Sequence, residues 1–332
     1  MRLQQLSSPE VKGYRSMKIL CVLILAALAG CGSTPSAPPA TAQPAANNNA
    51  DLEKVLSDAN DQWLCSGAYT KPYKDCVESR TNFWADQFFE VLSTGDVLDK
   101  EEMVATQTAV IPKNPPLGTG PYPDAFKLRA VYGDFAMATD HTNFRTADKN
   151  GNITFANNSK VLRLFIKING TWRPAAAGLV PIIPAAGPLT PNKHLAPQKS
   201  PDPELEKQLA TIDHDWLDSA TNKKLDYLQN LFVDGWFEIL GWNPTGNPDK
   251  ASTLKLLAAA NWKPGEGVVP DQFQLRAVYG DVALATDRRT RTWTNDKGQL
   301  VHMPHRSLLV FVKQDGQWKS AGASLTPIRV PE

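Results

Sequence analysis

Residues 126–140 read FKLRAVYGDFAMATD, and residues 273–287 read FQLRAVYGDVALATD. Twelve of these fifteen positions are identical, where chance gives roughly one. The chain is therefore an internal duplication. The copies stand 147 residues apart, close to the length of an ordinary domain and far beyond the period of stacked solenoid repeats.

The match extends outward from this anchor. Downstream, Asn169-Gly170-Thr171-Trp172 faces Asp315-Gly316-Gln317-Trp318, and Val180-Pro181-Ile182 faces Thr326-Pro327-Ile328. The offset there is 146, so one residue slips, and the slip is expected in a hairpin. Upstream, Leu52-Glu53-Lys54 faces Leu205-Glu206-Lys207, Trp63-Leu64 faces Trp216-Leu217, and Asp86 with Phe89 to Leu92 faces Asp234 with Phe237 to Leu240.

The 332 residues thus divide into two domains, expected at 51–185 and 204–332. A hydrophobic content of 42% suits two globular cores. With a net charge of +1 and no basic run, nothing in the electrostatics calls for nucleic acid as a partner.

At the N-terminus, Lys12, Arg15 and Lys18 precede the apolar run Ile19 to Leu28. Ten residues are too few to span a bilayer as a helix but suit the core of a signal peptide. The run ends in Leu28-Ala29-Gly30-Cys31, which resembles a bacterial lipobox. That resemblance implies cleavage after residue 30 and acylation of Cys31, palmitate included, with the membrane as a partner through the anchor. Gly32 is not the aspartate that retains such proteins at the inner membrane, so the expected address is the periplasmic face of the outer membrane. The segment from Met17 has the whole signal-peptide plan, which leaves Met1 and Met17 both open as the start.

Cys21 leaves with the signal and Cys31 takes the lipid, so Cys65 and Cys76 remain as an even pair in an oxidising compartment. They are expected to form a disulfide; no histidine stands beside them at zinc-ligand spacing. Residues 32–50, rich in Pro, Ala, Ser and Asn, read as a disordered tether, and the Pro-rich stretch 186–203 reads as a semi-stiff linker that leaves each copy able to fold alone.

Within the second copy, Leu205, Leu209, Ile212, Trp216 and Leu217 recur at helical spacing, and Leu225, Leu228, Leu231 and Phe232 continue a similar stripe. Trp236 to Leu240 begins the first strand, and a further helix lies near Ala251 to Ala260. Gly133-Asp134 and Gly280-Asp281 turn the anchor into a hairpin. Asn169-Gly170 and Asp315-Gly316 supply the positive φ angles of type I′ turns. Leu162, Leu164, Ile166 and Ile168 alternate with Arg163, Phe165 and Lys167, as in a two-faced strand. Helices followed by an antiparallel meander predict an α+β fold with the helices on one sheet face.

The Trp216 helix, the segment Leu228 to Leu240, the VYGD hairpin and the closing LLVFVKQDGQWKSAGASLTPI resemble the nuclear transport factor 2-like superfamily, in particular its SnoaL-like branch. The resemblance covers nearly all of both copies. It implies cone-shaped domains with a partly apolar pocket between the helices and the concave sheet, used for ligand binding in some members and for isomerase, cyclase or dehydratase chemistry in others.

In members similar to ketosteroid isomerase a carboxylate base stands on the first strand, and its place here falls on Val91 and Ile239, which take no proton. Glu90 and Glu238, one residue away, are the substitute candidates, although a one-residue shift turns a side chain to the other sheet face. Asp140 and Asp287, beside small alanines, are candidates to floor a pocket or to pair with Arg129 and Arg276. Trp236, Trp242, Trp262, Trp293 and the basic cluster Arg288, Arg289 and Arg291 are candidates to line a binding face in the second copy. No shared histidine, no metal cluster and no cofactor are indicated. The function expected is binding of a small apolar or amphipathic ligand, or of an envelope protein, without catalysis; the alternative is an isomerase- or cyclase-type enzyme using a pocket carboxylate.

Overall fold

The computed structural model describes residues 46–65, 72–111, 118–148, 150–182, 199–240, 247–295 and 297–328. The signal segment, Cys31, Trp242 and most of the linker lie outside the described residues. The contacts divide the chain at residue 43/44, and all described residues fall in the second unit.

The first half runs α1 (Ala46–Leu64), α2 (Tyr73–Phe83), β1 (Phe89–Val91), β2 (Val97–Asp99), α3 (Lys100–Thr108), β3 (Gly120–Tyr132), β4 (Phe135–Ala147), β5 (Ile153–Ile168) and β6 (Thr171–Pro181). The second runs α4 (Pro203–Thr221), α5 (Leu225–Leu231), β7 (Phe232–Leu240), α6 (Lys250–Ala259), β8 (Gly267–Tyr279), β9 (Val282–Thr294), β10 (Leu300–Gln314) and β11 (Gln317–Pro327). α1 begins at Ala46, so the last five residues of the stretch expected as tether are helical. Pro203 opens α4 behind the cap Asp202, a position where its missing N–H costs nothing.

The fold is α+β, with two curved sheets in the orders β2-β1-β6-β5-β4-β3 and β7-β11-β10-β9-β8. In each, four long strands form an antiparallel meander, and the first strand joins the last of them in parallel. The turns have the expected chemistry: Asn169 and Gly170 sit at φ 51° and 79°, and Asp315 and Gly316 at 52° and 76°.

The one-residue slip is in a hairpin arm, not its turn. Asp148 accepts from the amides of Asn150 and Asn152 just as Asn295 accepts from those of Lys297 and Gln299, so the offset is still 147 at the turn. The register then shifts between Phe144↔Asn157 and Arg145↔Phe155, an extra residue in β5 that the regular pairing of β9 with β10 lacks. It is a β-bulge.

The largest departure from expectation is the relation of the two halves. One face of each sheet packs on its own helices, and the other faces pack on each other. A single core joins Phe135, Met137, Leu162, Leu164 and Ile166 of the first half to Leu284, Leu308, Val310 and Val312 of the second.

Equivalent residues meet across this seam. Gly178 contacts Ser324, 146 positions on, and a Cβ at Gly322 would stand 2.9 Å from Met137 Cε of the first half. Thr326 donates its hydroxyl to the Leu179 carbonyl at 2.8 Å. Tyr132 of the first half neighbours Gly235 and Asp234 of the second, and Tyr279 reciprocally feels Asp86. The halves therefore relate by an approximate two-fold axis, and the expectation of two independent cores is corrected. Strands apolar on both faces, such as Val161 to Ile166, need a cover on each side.

Candidate functional site

Beneath the helices, each half carries a buried charged cluster built from equivalent places. In the first, Arg163 on β5 binds Asp140 on β4 at 2.8 Å, donates to the Thr142 hydroxyl at 2.8 Å and lies 4.5 Å from the centre of the Trp63 ring. Asn60 on α1 donates its amide to the same Asp140 at 2.9 Å.

In the second half, Asp287 on β9 keeps the place of Asp140, and the cation is Arg289 of the same strand. It binds Asp287 at 2.6 Å and Asp213 on α4 at 3.0 Å, and lies 5.1 Å from the Trp216 ring centre. By the repeat alignment Arg289 stands where Thr142 does and Leu309 where Arg163 does. The guanidinium has changed strands and kept its place over the tryptophan. Burial disfavours its charge, but Asp287 and Asp213 outweigh that and raise its pKa.

Asp140 and Asp287 thus do not pair with Arg129 and Arg276. Those arginines donate to Thr139 and Thr286 on the neighbouring strand. The acids are fully buried beneath the interior, held by cations that through-space packing selects.

Aromatic stacking is kept by exchange. Trp84 stacks on Phe88 at 4.4 Å and 6°, and Phe232 stacks on Trp236 at 4.2 Å and 9°. The two pairs occupy equivalent positions with tryptophan and phenylalanine swapped, so Trp236 is first a core residue. Its indole N–H donates to the Ser320 hydroxyl at 3.0 Å.

Glu90 and Glu238 turn toward these interiors, while Val91 and Ile239, the places of the isomerase-type base, turn into the core shared by the halves. Burial pushes the Glu238 carboxyl up to about 7, with Arg289 and Arg291 pulling the other way. Glu90 is likewise pushed up to about 7, opposed by Arg163 and Arg80. Each half therefore holds one buried acid between two guanidinium groups.

What differs is the space around that acid. In the second half a cavity of about 520 Å³ opens beside Glu238. Its apolar wall is Trp216, Trp236, Leu240, Leu257, Val268 and Leu325; its polar groups are Glu238, Arg289, Arg291, His305 and Trp262. Where Arg291 and His305 stand, the first half has Phe144, packed on its own core, and Ser159. Burial, reinforced by the two arginines, pulls the His305 imidazole down to about 4, so it is neutral at physiological pH.

Of the sequence candidates, Trp236, Trp262, Arg289 and Glu238 line the cavity. Trp293 stands behind Arg291, whose guanidinium carbon is 5.9 Å from the Trp293 ring centre and 5.9 Å from that of Trp262. Arg288 points to the opposite face of β9, as strand alternation requires. Arg291 of the same basic cluster lines the wall as well, whereas sequence reading passed over His305. His305 faces no histidine in the first copy, and that mismatch was itself the signal, because the cavity exists in the half that departs from its twin.

The cavity's roof is α6. Asp249 and Ser252 cap it reciprocally, yet none of its residues is fully buried, and Leu256 is 61% exposed while lining the opening. Its counterpart α3 buries Met103 and Gln107. A wider groove of about 970 Å³ follows the seam between α3 and Arg276. Two of its acids have structural roles: Asp99 caps α3, and Lys100 pairs Asp86 at 3.7 Å. The smaller cavity therefore has the concentrated chemistry.

Cys65 and Cys76 are joined as a disulfide, Cα to Cα 5.7 Å, tying α1 to α2. Among the described residues no cluster of His, Cys, Asp and Glu could hold a metal ion, and no helix is long and apolar enough to cross a membrane.

No protein-family model matches the sequence, and no match is found among curated proteins. Among solved structures, the chain is similar to the association domain of C. elegans CaMKII, at 11% identity and a TM-score of 0.33, covering 37% of this chain and 95% of that one. It is also similar to a protein of the NTF2-like family from Streptomyces avermitilis, at 14% identity and 0.32, covering 40% and 97%. Similarity to a protein of unknown function with a cystatin-like fold from Nostoc punctiforme is 16% at 0.31, covering 39% and 90%. The strand order and the cavity of this chain stand independently of these likenesses.

Proposed function

We propose that this chain is a lipid-anchored envelope protein whose second half binds a small ligand in the cavity between α4, α6 and the sheet, and releases it unchanged. The first half serves as its structural partner. The cavity carries this reading: its size lies in the range of small-molecule sites, and an apolar wall with few convergent polar groups is the usual composition of such sites. The anchor rests on Leu28-Ala29-Gly30-Cys31 after the apolar run.

Thermal shift and tryptophan fluorescence of residues 44–332 against fatty acids, aromatic acids and sterols test the binding. Ala220→Phe, which fills the cavity wall, should remove any response seen with the unaltered protein. If no compound responds, or the filled variant responds equally, the cavity is not the site. For the anchor, Cys31→Ala should leave the membrane fraction and lose labelled palmitate; persistence in that fraction would refute it.

A second reading, an isomerase- or cyclase-type enzyme, is favoured by one observation: Glu238 is a buried carboxyl pushed to about 7 that opens on a cavity, which suits a general base. Its mark would be turnover abolished in Glu238→Gln with binding intact.

A further inference from the structure

The cavity beside Glu238 holds two unmatched hydrogen-bond donors. Trp262 lines it with an indole N–H that is enclosed and has no hydrogen-bond partner, and the Thr253 hydroxyl on α6 is in the same condition. An enclosed donor left unmatched is destabilising. The indole N–H of Trp236, by contrast, is already satisfied by Ser320, and Asn261 at the rim is exposed to water. The Thr253 hydroxyl also departs from the twin half: Asp99 and Asp249 cap α3 and α6 alike, which sets Thr253 where Met103 is buried.

The charges around the cavity are answered within the protein. Arg289 is held by Asp287 and Asp213 at 2.6 and 3.0 Å. Arg291 lies 5.9 Å from the ring centres of both Trp262 and Trp293, and it and His305 have partners of their own. Glu266 is ionised at the mouth, accepting the amides of Lys263 and Thr294 at 2.7 Å each. The two guanidinium groups thus stand against Asp287 and Glu266, while Asp213 keeps its proton. This set is neutral with Glu238 protonated and negative by one with it ionised. An acid would meet no cation free to answer it, and an amine would bring a cation beside two guanidinium groups. The occupant that fits is neutral.

Glu238 completes the pattern. Its carboxyl opens on the same cavity and offers acceptor oxygens in either protonation state. A neutral head that matches all three groups presents an acceptor to Trp262 and Thr253 and a donor to Glu238. A carboxamide does so with its C=O, which has two lone pairs, and its N–H. An ester or a ketone supplies only the acceptor, and a hydroxyl must make all three bonds at one oxygen.

Resting on the ligand-binding reading above, we infer that the cavity takes a neutral carboxamide with an apolar body, its carbonyl against the Trp262 N–H and the Thr253 hydroxyl and its N–H against Glu238. The body lies along the apolar wall of Trp236, Leu240 and Leu257. Binding changes no covalent bond.

The test is calorimetric titration of residues 44–332, the compact unit of the chain, at pH 7 with octanamide, octanoate, octylamine, octanol and methyl octanoate. Octanamide should bind at least about tenfold more tightly than each of the others, because a head that leaves a built hydrogen-bonding group unmatched is rejected. Trp262→Phe, which keeps a ring beside Arg291 and removes the N–H, and Thr253→Val, which keeps the shape and removes the hydroxyl, should each weaken octanamide about fivefold or more. Glu238→Met should bring octanamide down to the affinity of methyl octanoate. Any of the other four probes binding as tightly as octanamide, or octanamide binding unchanged by both donor variants, would overturn the ligand class while leaving the cavity as a binding site. Failure of all five probes, with Ala220→Phe indistinguishable from the unaltered protein, would overturn both.

Discussion

Asn60 and Asp213 occupy the same position on the first helix of their halves and reach the same buried aspartate, Asp140 or Asp287, one with an amide and the other with a carboxyl. The amide donates outright at 2.9 Å. The carboxyl must keep a proton to do so. Burial first, and Asp287 second, raise the Asp213 pKa well above the usual carboxylate range, and the pair shares a hydrogen bond through that proton.

The first prediction is a pH dependence that the repeat itself can remove. A carboxyl whose folded pKa is raised stabilises the protein fully below its unfolded pKa, and that contribution is lost as pH rises through the folded value. The slope is about 1.4 kcal/mol per pH unit for one proton. Asp213→Asn, which installs the first half's solution, should flatten the loss of stability on the alkaline side and raise the midpoint there. Urea denaturation from pH 5 to 9 reads this directly; parallel curves for both proteins would show that Asp213 is ionised.

A second prediction concerns the cation that changed strands. Arg163→Leu leaves Asp140 buried with only Asn60 and Thr142 as partners, and breaking such a pair costs about 3–5 kcal/mol. Adding Thr142→Arg recreates the arrangement of Leu309 and Arg289 in the second half. The double variant should recover most of the lost stability in a denaturant titration. Additive losses would mean the two interiors are not interchangeable.

The third prediction is that the Cys65–Cys76 bond stabilises α1 against α2 by roughly 2–3 kcal/mol through the short loop that it closes. Cys76 is fully buried beside Tyr73 and Val77, so the conservative test replaces Cys65 alone, with Cys76 kept reduced. Thermal denaturation should drop by several degrees, and thiol titration of the unreduced protein carrying both cysteines should find neither of them free.

Much of the fold was legible because it is local. The Asn169-Gly170 and Asp315-Gly316 turns fix φ by residue type, and the spacing of Leu209, Trp216 and Leu217 fixes a buried helix face. The interior was harder. Asp140 was legible as a buried acid from strand alternation, but its partner was not: Arg129 on β3 is nearer in sequence, whereas Arg163 lies on β5, on the other side of β4, and in the second half the cation stands on another strand altogether. The Trp84/Phe88 and Phe232/Trp236 exchange was hidden by comparing positions one at a time, because the stack is kept while each position changes.

The shared core was legible in principle and misread. Val161, Leu162, Leu164, Phe165 and Ile166 are apolar on both faces of β5, which a sheet covered on one face only does not need. A Pro-rich linker speaks to the path between the halves, not to what they bury when they meet.

The last prediction follows from that seam. Separated, residues 46–185 and 199–332 would each expose one sheet face, including Leu162, Leu164 and Ile166 in the first half and Leu308, Val310 and Val312 in the second. Exposed apolar area of this extent drives association at about 25 cal/mol per Å², and an apolar patch that large on a monomer is unusual. Each piece alone should therefore aggregate or bind a hydrophobic dye, whereas the two expressed together should co-purify as a one-to-one complex with the melting behaviour of the full chain at high concentration. Gly178 gives the specific control, because a side chain there meets the Ser324 side chain and Leu308 Cδ2 of the other half. Gly178→Val should weaken the reassembled complex at least tenfold, through overpacking that costs about 1–3 kcal/mol, and should lower the stability of the intact chain by less, since the linker keeps the halves at high effective concentration. Size-exclusion chromatography with dilution series measures both. Two well-behaved monomers with cooperative melts of their own would show that each half completes its core unaided.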